Sequence, residues 1–166
     1  MYFCNMDFFL TDIEIDNLIK EEKRIDQPIA DFGRKLKEKK GHKEFDLVVD
    51  RSDNSAFKII IRQSIENPLD FSAILGFIPP KKTDVFLLRR YNGKSHEHRN
   101  KIEKGPIFYD FHIHNATARY QEAGPREEYF AEITDRYADL HGAIDCLVQD
   151  CNIISNDFQG NLFTQQ

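Results

Sequence analysis

The chain is poor in cysteine, with only Cys4, Cys146 and Cys151 among its 166 residues. Their spacing matches no zinc-binding pattern, and an odd number forms no complete set of disulfides. Cys146 and Cys151 lie five apart on a predicted helix, so their side chains point in different directions. Reduced thiols in a cytoplasmic setting are the expectation. No uninterrupted apolar run reaches the about 18 residues that a membrane-spanning helix needs. The first residues lack an apolar stretch with basic flanks, so no signal peptide is expected, and Met6 is an alternative start to Met1. There is no internal repeat, no Gly-rich phosphate loop, no nucleophile elbow and no localised Cys–His set. These absences remove most nucleotide-binding and covalent-catalysis classes.

What is present is a well-stocked core. Hydrophobic residues make up 40% of the chain, with 14 Phe and 6 Tyr, which suffices for one domain. The net charge of −5 argues against a generic nucleic-acid or membrane coat. The charge is uneven, however. Residues 81–104 hold eight Lys/Arg against three Asp/Glu, and residues 122–166 hold two against nine. A basic middle and an acidic end allow pairing within one chain, or between two chains in a homodimer.

Thr11 and Glu14 form a capping-box pattern, with Leu10 and Ile15 as a hydrophobic staple, and open a helix whose stripe is Ile15, Leu18 and Ile19. Residues 31–43 read as a loop or weak strand, with 35–40 as a mobile surface loop. Phe45, Leu47 and Val49 alternate with polar positions, as do Phe57, Ile59 and Ile61, and the turn at 52–55 makes them a hairpin. Strands are also expected at 71–78, 84–91 and 128–133. Tyr137, Leu140, Ile144, Leu147, Val148 and Cys151 recur at helical spacing, with the helix starting near Asp139 because Gly142 weakens that turn. The expected fold is a single α+β domain over 7–154, with a curved antiparallel sheet of five or more strands and N-terminal and C-terminal helices. Residues 1–6 read as an extension and 155–166 as a polar tail.

Four of the six histidines, His96, His98, His112 and His114, fall within residues 92–115. The alternation over 107–114 predicts a strand. Ile107, Tyr109, Phe111 and Ile113 then face the core, while Phe108, Asp110, His112 and His114 share the other face.

Several motifs together resemble an uncharacterised prokaryotic family associated with prophages and mobile elements. They are the opening LTDIEIDNLI with Glu22-Lys23-Arg24, then His98-Arg99-Asn100, His112-Ile113-His114 and Cys151-Asn152-Ile153. Such a family commonly follows His-Arg-Asn with Pro-Asp-Gly, where this chain has Lys101-Ile102-Glu103. The resemblance implies no activity, so chemistry has to come from the residues.

The leading expectation is an anionic ligand, RNA or single-stranded nucleic acid first, on a sheet face bearing Lys58, Arg62, Arg89 or Arg90, Arg99 and the histidines. Phe86, Tyr91, Phe108 and Tyr120 would stack on bases. Phosphodiester cleavage would use His112 and His114, with His98 as a third candidate, as a proton-transfer pair and Arg99 as charge stabiliser. The alternatives are a His-ligated zinc module and a non-catalytic protein-interaction domain. No cofactor is required by the leading expectation. Were a metal held, zinc on His112 and His114 with His98, or His96 in its place, and Asp110 as a carboxylate is the set that fits.

Overall fold

The computed structural model describes residues 8–156. The expected extension at 1–6, most of the polar tail and Cys4 lie outside these residues. The elements in order are α1 (Asp12–Lys20), β1 (Lys23–Ile25), α2 (Asp31–Arg34), β2 (Lys37–Lys39), β3 (His42–Asp50), β4 (Ala56–Ser64), β5 (Phe71–Ile78), β6 (Phe86–Asn92), β7 (His112–Asn115), α3 (Ala118–Ala123), β8 (Phe130–Ile133), α4 (Leu140–Asp150) and β9 (Ile153–Ser155). The fold is α+β, built on an open seven-stranded antiparallel sheet in which β2 to β8 pair in sequence order. None of the helices is long and apolar enough to cross a membrane, among the described residues.

The helix signals act as their chemistry predicts. Thr11 caps α1 with a complete capping box to Glu14. Asp139 caps α4 by accepting from the Gly142 amide at 2.8 Å. Ile15, Leu18 and Ile19 of α1 and Ala143, Ile144 and Leu147 of α4 cover one sheet face, against Phe57, Ile59, Ile61, Leu75, Tyr91 and Ile113.

Besides the short elements β1 and α3, which the sequence did not mark, several features depart from the sequence expectations. Residues 31–43, read as a loop or weak strand, contain the short edge strand β2 paired with β3, and also α2, which was not expected. Ser155, expected in the tail, belongs to β9, which pairs in parallel with β1 outside the main sheet. The predicted strand over 107–114 is regular only from His112, and the preceding residues run in a long connection from β6 to β7. Ile107 and Tyr109 are accordingly 60% and 47% exposed rather than in the core.

That connection begins at Gly93, where an added Cβ would lie 1.9 Å from the Leu69 carbonyl oxygen, so only glycine fits. It folds back over the sheet face opposite α1 and α4. His98 and Phe108 exchange both main-chain hydrogen bonds at 2.9 Å. The Asn100 amide then behaves like a strand residue: its Nδ2 donates to Ala131 O at 2.8 Å and its Oδ1 accepts from Ala131 N at 2.9 Å. Glu103 accepts from the Tyr120 hydroxyl and pairs with Arg119, which fastens the loop to α3.

Candidate metal centre

The register sets the polar residues of this covered face in two rows across the sheet. One runs Glu44, Arg62, Ser72, Asn92, His112, Ile133. The next runs Asp46, Ile60, Ile74, Arg90, His114, Ala131. His112 and His114 therefore share a face, as strand alternation requires, and His98 is laid over them by the connection.

The three rings are buried, with 0% exposure for His112, 1% for His114 and 6% for His98. Phe111 is more exposed than either strand histidine, the reverse of what an open histidine face would give. The alternation still holds, because Phe111 and Ile113 pack on the core; the covering connection is what buries the imidazoles. Ring centroids are 4.8 Å apart for His112–His114, 4.9 Å for His98–His114 and 5.4 Å for His98–His112. One nitrogen from each ring lies within 4.8 Å of the others. A tetrahedral zinc with bonds of about 2.0–2.1 Å needs ligand nitrogens about 3.3 Å apart, so side-chain shifts on the order of an ångström suffice.

The partners fix the tautomers. His112 Nδ1 lies 2.7 Å from the Asp110 carbonyl oxygen, and His114 Nδ1 lies 2.9 Å from that of Glu128. A carbonyl only accepts, so both Nδ1 atoms carry the proton and both Nε2 atoms offer a lone pair. His98 Nε2 sits 3.0 Å from Asn100 Oδ1, an oxygen identified as such by its bond from Ala131 N. Its Nε2 thus donates, and in the neutral ring Nδ1 carries no proton. A ring whose N–H is spoken for by a carbonyl or amide oxygen is the arrangement that orients a metal-ligating histidine.

Burial holds all three imidazoles neutral. It pulls His112 down to about 4 and His114 down to about 2, with Arg90 among the charges that add to both shifts, and it lowers His98 as well. In the metal-free protein the consequence is a pH-dependent stability. Below about pH 6.5 the unfolded chain takes up protons that the folded rings refuse. Stability is therefore full above that pH and is lost as pH falls toward 4, by roughly 3 kcal/mol from His112 alone. Urea midpoints measured between pH 7 and 4.5 should fall steeply, and less so in His114→Asn; a flat profile would contradict the burial of these rings.

Arg90 joins the site, its Nη2 lying 3.2 Å from His114 Nε2 and 3.5 Å from Glu128 Oε1. Glu128 is 1% exposed, and neither carboxylate oxygen has a hydrogen-bond partner. Burial raises its carboxyl, against the opposing charge of Arg90. The guanidinium therefore has a second acceptor within reach when the His114 lone pair is taken by an ion.

Other candidates fall elsewhere. Asp110 contributes its carbonyl, while its half-exposed carboxylate faces Lys94 at 3.4 Å. Lys58 and Arg62 share the face but pair with Asp46 at 3.2 Å and Glu44 at 2.6 Å. Burial would raise Glu44, yet hydrogen bonds from Lys39 and Arg62 pull it down to about 2. Arg89 stands opposite Leu75 on the core side, with its guanidinium 5.6 Å from the Tyr91 ring centroid. Arg99 is exposed on the connection. Tyr91 and Tyr120 are buried and present no stacking surface.

Asn92, whose Nδ2 lies 3.4 Å from His112 Nε2, was not singled out as a site residue by sequence, nor were Asn100 and Glu128. Asn100 follows His98 in the His-Arg-Asn motif, a signal that was there to use. Glu128 sits in an acidic run with nothing to mark it. Comparison with family models, curated proteins and solved structures finds no match for this chain.

Proposed function

We propose that this chain is a metal-binding module that holds a divalent ion of the imidazole-preferring class, zinc first, on His98, His112 and His114. The observation that carries the reading is the convergence of three buried imidazoles whose proton-bearing nitrogens are all engaged outward. Neutral imidazole suits zinc, copper, iron and nickel, and zinc is the ion whose tetrahedral sites commonly take three imidazoles. The ion would clamp the 93–111 connection onto β7, which otherwise buries polar rings around one another at a cost. A ligand that binds only the folded chain raises its stability in proportion to the logarithm of its concentration. Titrating zinc into chelator-treated protein should therefore raise Tm stepwise, and magnesium should not. Equal Tm with zinc and with chelator would rule the module out.

A second reading, an anionic ligand such as RNA or single-stranded nucleic acid, draws support from the register that aligns Lys58, Arg62 and Arg90 with the histidines. Its weakness is that each of these cations already faces a carboxylate. Metal-free cleavage by His112 and His114 also lacks an imidazolium near neutral pH, since both rings stay neutral there. RNA affinity measured across salt concentrations checks this reading. A steep salt slope that flattens in Arg62→Ala would favour it, and absence of binding at low salt would remove it.

A further inference from the structure

Building on the three-imidazole reading, we infer that His96 is the fourth ligand of the same ion, so that two His-x-His pairs close the site and leave no position for water. The four rings form one cluster, with the His96 ring edge-on to His112 at a centroid distance of 5.5 Å. His96 differs from the other three in being exposed.

The hydrogen bonds around His96 decide its tautomer. Ser95 Oγ donates to Asp70 Oδ1 at 3.0 Å. A serine hydroxyl has one proton, so the same oxygen can only accept from His96 Nδ1, 3.2 Å away. His96 is therefore protonated at Nδ1 and bare at Nε2, as His112 and His114 are. The relay from imidazole to hydroxyl to carboxylate is the kind of support that fixes the orientation of a ligating ring. Each of the four imidazoles thus has one nitrogen engaged with an oxygen and one nitrogen without a proton, and those of His112 and His114 face the donors Asn92 Nδ2 at 3.4 Å and Arg90 Nη2 at 3.2 Å.

The distinction has a chemical consequence. Zinc held by three protein ligands keeps an exchangeable position and can activate water, whereas zinc held by four is structural. A His96 that swings in from the surface makes the ion a cross-link between the start of the connection and β7. It also gives the ion its route in, because the other three rings are buried.

Cobalt(II) reports on this directly, since its visible absorption responds to coordination number and to an added anion. Wild-type protein loaded with cobalt should show the intense bands of a tetrahedral site, unmoved by azide. His96→Ala should bind cobalt at least about 100-fold more weakly, beyond the range seen for loss of an outer-shell partner, and should show bands that shift when azide enters the vacated position. Azide-sensitive bands in the wild type, or unchanged affinity in His96→Ala, would overturn the fourth-ligand assignment while leaving three imidazoles in place. Failure of the wild type to take up cobalt or zinc at all would overturn both.

Discussion

Substituting His112 by asparagine should abolish zinc binding while leaving the fold standing. The Asn amide nitrogen can take over the bond that His112 Nδ1 makes to the Asp110 carbonyl at 2.7 Å. It offers no lone pair where Nε2 stands. Loss of an outer-shell partner typically weakens metal affinity by about 10–100-fold, so loss of a ligand should weaken it by at least about 100-fold. Calorimetric titration of zinc into wild type and His112→Asn measures this, with circular dichroism as the check on folding. His114→Asn should behave alike, because its Nδ1 partner is again a main-chain carbonyl. Comparable affinities in the wild type and both variants would mean that the ion, if bound, sits elsewhere.

The largest effect on stability is expected far from the histidines, at Lys23. This side chain is fully buried, and its Nζ lies 2.8 Å from Leu18 O, 2.9 Å from Ile19 O, 2.6 Å from Glu21 O and 2.9 Å from Cys151 O. These carbonyls belong to the C-terminal ends of α1 and α4, where no intrahelical donor remains. One ammonium thus ties both helix ends to the β1–β9 pair. Burial pulls the amine down to about 8, offset by Cys151 and Glu21, so it remains charged at pH 7. Lys23→Met keeps the volume and strands the carbonyls. Each unsatisfied buried acceptor costs about 1–3 kcal/mol, and the loss should reach on the order of 3–5 kcal/mol. In urea that is a midpoint shift of about 2 M. A shift of a few tenths molar would show that water replaces the ammonium without penalty.

Much of this fold was legible because its local rules agree. The Thr11–Glu14 box and the Asp139 cap mark helix starts by hydrogen-bond chemistry that needs no tertiary context. The long alternating runs of β3 and β4 settle their own register, as side chains must divide between a packed and an unpacked face. The same alternation set His112 and His114 together. What escaped was short or non-local. β1 and β9 span three residues each, too few for any period, and they pair across the length of the chain. α3 occupies six residues between Thr117 and Gly124 and has no amphipathic stripe to read. The burial of the histidines depends on the connection folding back, and that in turn depends on Asn100 imitating a strand toward Ala131. No periodicity encodes such a contact. Ile107 and Tyr109 followed the alternation yet stand exposed, because the strand they predict begins only at His112.

The most direct measurement is the metal content of protein purified without chelating resin, read by inductively coupled plasma mass spectrometry beside His114→Asn. Wild type should carry about one zinc-class ion per chain, and the variant close to none, since the ligands converge only in the folded chain and metal binding is coupled to folding. Folded wild-type protein that is metal-free as isolated, and stays so after incubation with zinc and desalting, would contradict a metal centre at His98, His112 and His114.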